Sequence, residues 1–345
     1  MATMKDVARR AGVSIATVST TLSGSSYVSP ALKERVQAAI DELGYAPNAM
    51  ASGLKRGRSA MIGLVVPDIT NPFFTEFVHV VQREARAAGY SVMLGVSDDD
   101  AAQEADLVRL MRSHQAAGTI LCPCGNEDDT KSLRGITGAM PLVAVDNAAD
   151  GTDFDTVVID NRQAARLAVD HIVSAGHERI AAITGPTHRF VSRERLIGFE
   201  EALKGHGLKT NPQHIMPGEF HVSRAYEAGL SLLQSPNPPT AIFVANNQML
   251  IGILQALAHE NVAVPQDMSI ASIDDFAWTA AVTPALTTVT QPIAEMARIG
   301  LERLIGRIGG DDSPPHREML SPGITVRTSC AVPRAGDLRR ATVPA

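Results

Sequence analysis

The sequence predicts a small all-α head followed by an α/β core of parallel sheets in two similar halves. Three observations carry this. The first 45 residues hold three short amphipathic helical stretches separated by glycines. From Met61 onward, continuous apolar runs alternate with helical periodicity, the pattern of buried parallel strands and their crossover helices. The alternation starts twice, at IGLVVPDITNPFF and again at IAAITGPTHRF. A length of 345 residues leaves room for two or three domains, and 45% hydrophobic with 20% charged residues is the make-up of a folded chain.

In the head, Thr3 is placed to cap a helix with Asp6 at its third position. Val7, Ala8 and Ala11 form its apolar face, and Gly12 stops it. Ser14 caps a second helix that runs to about Leu22, with Val18 and Leu22 inward and Gly24 as its end. Ser29-Pro30 opens a third in the favoured order of cap, then proline. Leu32, Val36, Ile40 and Leu43 are its stripe, and Gly44 closes it. Two short helices across a tight turn at Gly12-Val13, with a third behind, make a helix-turn-helix. Its second helix turns Ile15, Ala16, Ser19 and Thr20 outward.

Charge is divided between head and body. Residues 1–60 hold eight Lys and Arg against four Asp and Glu, a net +4, whereas the remainder carries −10. A basic head on an acidic body points to a polyanion as the head's partner. A small helical subdomain without that role is the plainer reading of the same residues. Next comes a short stretch in which Asn48 can cap a helix through Leu54. It is under three turns and contains Gly53, so it needs a partner's contacts to hold. Leu54 beside Lys55, Arg56 and Arg58 has the make-up of an apolar wedge among phosphate-binding charges; a solvated linker fits equally.

In the body, strand-like runs begin at Met61, Val92, Thr119, Leu142, Thr156, Ile180, Ala241, Ser269 and Leu286. Helical stretches begin near Phe73, Ala101, Gln163, Arg193, Arg224, Gln248 and Ile293. Ligands of such sheets bind beyond the carboxyl ends of strands. Those ends carry Asp68, Asn71, Cys122, Cys124, Asp146, Asn246, Asn247, Asp274 and Asp275, a set suited to a polar or polyhydroxylated small molecule. The helix from Phe73 to Ala88 has two apolar sides. Phe73, Phe77, Val80 and Val81 can face a sheet; Phe74, Val78, Ala85 and Ala88 are expected to be available to a second chain.

Enzyme chemistry has little to stand on. There is no G-x-S-x-G elbow, H-E-x-x-H helix or G-x-G-x-x-G turn. Cys122-Pro-Cys124 lacks a second ligand pair, so neither metal nor cofactor is expected. Three cysteines cannot make a disulfide framework, MATMKDVARRAGVS is no apolar leader, and no run of 18 apolar residues exists. A cytoplasmic chain without membrane contact is the expectation. A periplasmic solute-binding protein is the rival reading of the body alone.

The chain resembles the LacI/GalR family of bacterial transcriptional regulators over nearly its whole length. The motifs are KDVARRAGVSIATVS, TLSG, SPALKERVQAAIDELGYAPNAMASGL and IGLVVPDITNPFF, then GHERIAAITG, RERLIGF, FVANNQM, VPQDMSIASIDD and TPALTTVTQP. The resemblance implies a helix-turn-helix headpiece (1–46), a hinge helix and linker (47–59), and a two-lobed core like periplasmic sugar-binding proteins. One lobe would take 60–161 plus 292–320, the other 162–290 plus 322–333, with a tail at 334–345. It further implies a homodimer on a palindromic double-stranded operator, the state of which is set by a small effector. Ile15, Ala16 and Thr20 fall on base-reading positions and Leu54 on the hinge leucine; Ser14, Thr17, Ser19, Ser26, Asn48, Lys55 and Arg56 complete the expected DNA contacts. Phe73, Arg195, Phe220, Asn246, Asp274 and Gln291 fall on effector-contacting positions, with Asp146, Arg189 and Asn247 added. Asn247 stands where relatives usually have Asp. A sugar or sugar derivative is favoured as effector; a purine-like corepressor is the alternative, and Arg195 with Asp274 as a structural salt bridge is the alternative to a ligand role. The tail lacks a leucine heptad, so a dimer rather than a coiled-coil tetramer is expected.

Overall fold

A computed structural model describes residues 2–22, 28–45, 59–148 and 151–334. The chain forms two compact units, Met1–Ala60 and Met61–Ala345.

The first unit contains α1 (Met4–Ala11), α2 (Ile15–Leu22) and α3 (Pro30–Leu43). Thr3 and Asp6 cap α1 reciprocally: Thr3 Oγ1 accepts from the Asp6 amide at 3.4 Å, and the Asp6 carboxylate accepts from the Thr3 amide at 3.0 Å. The Thr17 amide donates to Ser14 Oγ at 3.0 Å and so starts α2. Ser29 takes the cap position of α3, but its side chain makes no capping bond. The proline ring presets the backbone at that entry, and the Ser29 carbonyl accepts from Leu32 and Lys33. Val7, Ala8, Ala11, Val18, Val36, Ala39 and Ile40 form the core, with Leu22 and Leu43 packed at its edge. Gly12 adopts φ 64°, a left-handed turn that permits the sharp α1–α2 junction, and Arg35 Nη2 donates to the Ala11 carbonyl at 2.6 Å to hold it. Ser26, Asn48, Leu54, Lys55 and Arg56, and with them the expected hinge and linker up to residue 58 and the tail from residue 335, lie outside the described residues.

The second unit alternates strand and helix. Its elements are β1 (Met61–Val66), α4 (Pro72–Ala87), β2 (Ser91–Val96), α5 (Ala101–Ser113), β3 (Thr119–Leu121), α6 (Glu127–Thr137), β4 (Leu142–Val145) and β5 (Asp155–Ile159). Then come α7 (Asn161–Ser174), β6 (Ile180–Thr184), α8 (Phe190–Gly205), β7 (Ile215–Pro217), α9 (Val222–Leu233), β8 (Ala241–Val244), α10 (Asn247–His259) and β9 (Ser269–Ile273). α11 (Ala277–Ala281), β10 (Thr287–Thr290), α12 (Ile293–Gly309), β11 (Arg317–Leu320) and β12 (Gly323–Thr325) complete it.

Two six-stranded sheets result, in the orders β11-β5-β4-β3-β1-β2 and β12-β10-β9-β8-β6-β7. Every pairing is parallel except β10 with β12. The central strands are buried along their length, which is why they read as predominantly apolar runs. The chain passes from the first sheet to the second after Ile159, returns after Thr290, and passes again after Leu320. One expectation is corrected here: the second apolar side of α4 is not left for another chain. Phe74 and Ala85 are buried within this one, Val78 is packed on the same core and α12 lies against α4; only Ala88, past the helix end, is exposed.

Candidate functional site

The outer face of the first unit is built by α2. Ile15 is 40% exposed and Ala16 is exposed beside it. The hydroxyls around them are engaged locally: Ser14 and Thr17 hydroxyls bond each other at 2.9 Å, and Thr20 Oγ1 donates back to the Ala16 carbonyl at 2.8 Å. Ser19 is half-buried. Lys5 and Arg9 are exposed on α1. A short helix with an apolar edge, flanked by cations, can enter a groove of a polyanion.

In the second unit, a cleft of about 610 Å³, the part open to solvent included, lies where the carboxyl ends of both sheets face each other. Asp68 follows β1, Asp99 follows β2 and Asp146 follows β4; Asn246 follows β8, Asp274 follows β9 and Gln291 follows β10. Phe73 enters from the first turn of α4, Arg195 from α8, and Arg189 and Phe220 from the loops after β6 and β7. Eight of the nine expected effector residues thus line one space. The exception is Asn247. It is 1% exposed and lies behind the lining, its Nδ2 donating to Oδ1 of the lining residue Asn71 at 3.0 Å and its Oδ1 accepting from the Gln248 amide. The amide ties the second-sheet side to the first as a hydrogen-bond donor, which an ionised aspartate is not.

The polar groups are fixed unevenly. Arg195 is 4% exposed; its Nε donates to Asn161 Oδ1 at 2.8 Å and its Nη1 to the Ala245 carbonyl at 2.6 Å. No ion pair joins it to Asp274 among the described residues. Arg189 Nη2 reaches Asp99 Oδ1 at 2.9 Å, and its guanidinium lies 5.7 Å from the Phe220 ring centroid. Asp274 accepts from the Asn247 amide at 3.1 Å and from Gln291 Nε2 at 2.6 Å. Asp275, its neighbour, points elsewhere and pairs with Arg327 at 2.8 Å. Burial pushes the Asp146 carboxyl up to about 6; Arg195 and Arg189 pull it down and Asp274 adds to the rise. Asp99, Asp146, Phe220 and Asp274 all hold positive φ, at 62°, 72°, 60° and 80°. Such strain gathers where a structure clamps a ligand.

Residues that the sequence reading passed over are Asp99 and Asn147. The run Ser97-Asp98-Asp99-Asp100 after a strand was the available signal for Asp99. Asn147 has none. Its Nδ2 donates to the Pro123 carbonyl at 3.0 Å and its Oδ1 accepts from the Val191 amide at 3.3 Å, so it bridges the two sides. Cys122 and Cys124 are buried beside the cleft; burial pushes the Cys124 thiol up to about 12, the signature of an inert thiol. Among the described residues no group of three potential ligands could hold a metal, and no helix is long and apolar enough to cross a membrane.

Residues 3–48 match the bacterial regulatory proteins of the lacI family, and residues 169–330 match the periplasmic binding protein-like domain. The ribose operon repressor of Escherichia coli (strain K12) is 35% identical over 330 residues, covering 95% of this chain and 100% of the relative. The HTH-type transcriptional repressor PurR of Photobacterium profundum is 31% identical, covering 95% and 98%. The crystal structure of the Lac repressor dimer bound to operator and the anti-inducer ONPF superimposes with a TM-score of 0.87 at 25% identity, over 96% of this chain and 99% of that one. With a headpiece of this kind, a two-sheet core of this kind and relatives matched end to end, the chain belongs to the LacI family of bacterial transcriptional regulators.

Proposed function

We propose that this protein is a cytoplasmic repressor that grips a palindromic operator as a homodimer and changes its grip when a small polar molecule, a sugar or sugar derivative, enters the cleft. The observation that carries the reading is the cleft's construction: strained aspartates, the buried Arg195, the half-buried Arg189 and two aromatic rings converge from both sheets, so a ligand there touches both sides at once. A ligand that prefers one arrangement of the two sides shifts the equilibrium between arrangements by its differential affinity, and couplings of about 1–3 kcal/mol are typical. Ile15, Ala16 and Thr20 supply the groove-facing edge, and nearby cations contact phosphates. For the dimer we assign the face formed by Ile251 and Leu254 of α10 with Trp278, which flanks an apolar groove.

The test is a selection of duplex sequences by the full-length protein, followed by fluorescence anisotropy on the selected site with a panel of sugars. Affinity should fall steeply with salt, and one sugar should shift it at least fivefold; the direction of the shift tells inducer from corepressor. Failure to enrich any duplex at low salt, with or without sugars, refutes the reading.

A further inference from the structure

We propose that α2 selects thymine by its 5-methyl group, and that Ile15 is the residue that reads it. The proposal rests on the operator reading above and states which base chemistry the first unit recognises.

The first ground is what α2 carries. From Ile15 to Leu22 it holds no Lys, Arg, Asp, Glu, Asn or Gln. In the major groove, guanine is singled out by a guanidinium or ammonium on its O6 and N7, adenine by a carboxamide on its N6 and N7, and cytosine by a carboxylate on its N4. The helix has none of the three. The signature that remains is the thymine methyl, which asks only for an apolar contact.

The second ground is how the hydroxyls are used. Those of Ser14 and Thr17 bond each other at 2.9 Å, and Ser14 Oγ also accepts the Thr17 amide at 3.0 Å. Thr20 Oγ1 donates to the Ala16 carbonyl at 2.8 Å, and Thr21 Oγ1 to the Thr17 carbonyl at 2.9 Å. A hydroxyl has one proton to give, and Thr20 and Thr21 give theirs to their own helix. Their lone pairs, and the half-buried hydroxyl of Ser19, can still meet a base edge, but a hydroxyl suits more than one base and singles out none.

The third ground is where Ile15 stands. Val7, Val18, Val36 and Ile40 are buried in the core of this unit, and Leu22 and Leu43 pack at its edge. Ile15 is the one large apolar side chain among the unit's described residues that is exposed, and Ala16 is exposed next to it. A lone apolar residue is ordinary on a surface. This one occupies the first position of α2, and the first turn of a groove-docked helix is the part that reaches base edges. An apolar side chain there, on a helix without polar readers, is complementary to a methyl.

The test uses the full-length protein and the duplex it enriches. Each thymine of one half-site, together with its symmetry mate, is replaced in turn by deoxyuridine, which keeps every hydrogen-bonding group and removes only the methyl. Fluorescence anisotropy should show, at one position or more, a loss of about fourfold per half-site, the size expected when one methyl-sized apolar group is no longer covered. In Ile15→Ala the same replacement should have almost no effect. That variant keeps its fold, because the side chain is exposed and alanine favours helix, and thermal melting checks it. In the unaltered protein, cytosine at the sensitive position should bind more tightly once it carries a 5-methyl group; this arm needs no variant and decides the matter if Ile15→Ala melts early. Uracil tolerated at every position, a loss just as large in a folded Ile15→Ala, a methyl on cytosine that gains nothing, or an enriched half-site without thymine overturns the proposal and leaves operator binding in place. If no duplex is enriched, the operator reading itself falls and the proposal falls with it.

Discussion

Replacing Asp146 with Asn should make the empty protein more stable although it damages the cleft. The carboxyl stands at about 6 in the fold against an ordinary 3.8, chiefly because burial disfavours its charge. A raised acid binds more protons folded than unfolded, so its contribution is fully present below pH 3.8 and is lost as pH rises through 6. About two pH units correspond to roughly 3 kcal/mol above pH 7. Asp146 is only partly shut off from water, which screens some of this, so about 1–3 kcal/mol is the expected gain for the isosteric neutral amide. For a unit of this size that is a rise in Tm of roughly 2–8 °C. At pH 5 the folded carboxyl is mostly protonated while the unfolded one is mostly ionised, and the gain should shrink to about half. Differential scanning fluorimetry of both proteins between pH 5 and 8, without sugar, measures it. A variant no more stable at pH 7.5, or a gain that does not change with pH, refutes the claim that burial outweighs Arg195 and Arg189 at this carboxyl.

Four further outcomes follow from named contacts. Asp155 is 2% exposed and held by Arg307 at 2.7 and 2.9 Å; Asp155→Ala removes that carboxylate while Arg307 keeps the carbonyls of Asp311, Ser313 and Pro314, and should cost about 1–3 kcal/mol in urea denaturation, against less than 0.5 if the pair is dispensable. Burial pushes the Asp155 carboxyl up, but Arg307 and the His316 amide outweigh that and hold it below its ordinary value, so this stabilisation is present above pH 4 and lost on acidification. Gly12→Ala puts a Cβ at φ 64°, 2.9 Å from Arg35 Nη2; the first unit should lose about 1–2 kcal/mol and operator affinity should fall, with sugar titrations unchanged. Thr20→Arg replaces a hydroxyl bonded to its own helix with a fork able to read guanine, so the base preference from a binding-site selection should shift, and an unchanged preference counts against α2 as the reader. Leu254→Asp in the apolar face of α10 should yield monomers by light scattering; an intact dimer would move the interface elsewhere.

The sequence by itself determined what local chemistry can settle. Thr3 with Asp6, Ser14 with Thr17, and the left-handed glycines at 12 and 44 fix helix ends through partners three or four residues away. Buried strands such as Ala241–Val244 are legible because both faces are covered, so apolar residues predominate, and a polar one such as Ser272 is tolerated where it bonds a neighbouring carbonyl. The polar residues at strand ends were legible for the complementary reason: a chain leaving a buried strand can place them only at the sheet's carboxyl edge. The family motifs added which of these to group together. Other features were hidden. α6 has a mostly polar sequence, and β11 and β12 are short edges that exist through their ladders with β5 and β10. Only the tertiary structure decided where the side chains of Asn247, Arg189 and Asn147 go. Their partners, Asn71, Asp99 and the amide of Val191, lie 176, 90 and 44 residues away. Periodicity reports which face of an element is buried. It carries no information on which distant group satisfies a polar atom there, because that pairing is chosen by how two separately folded sheets meet.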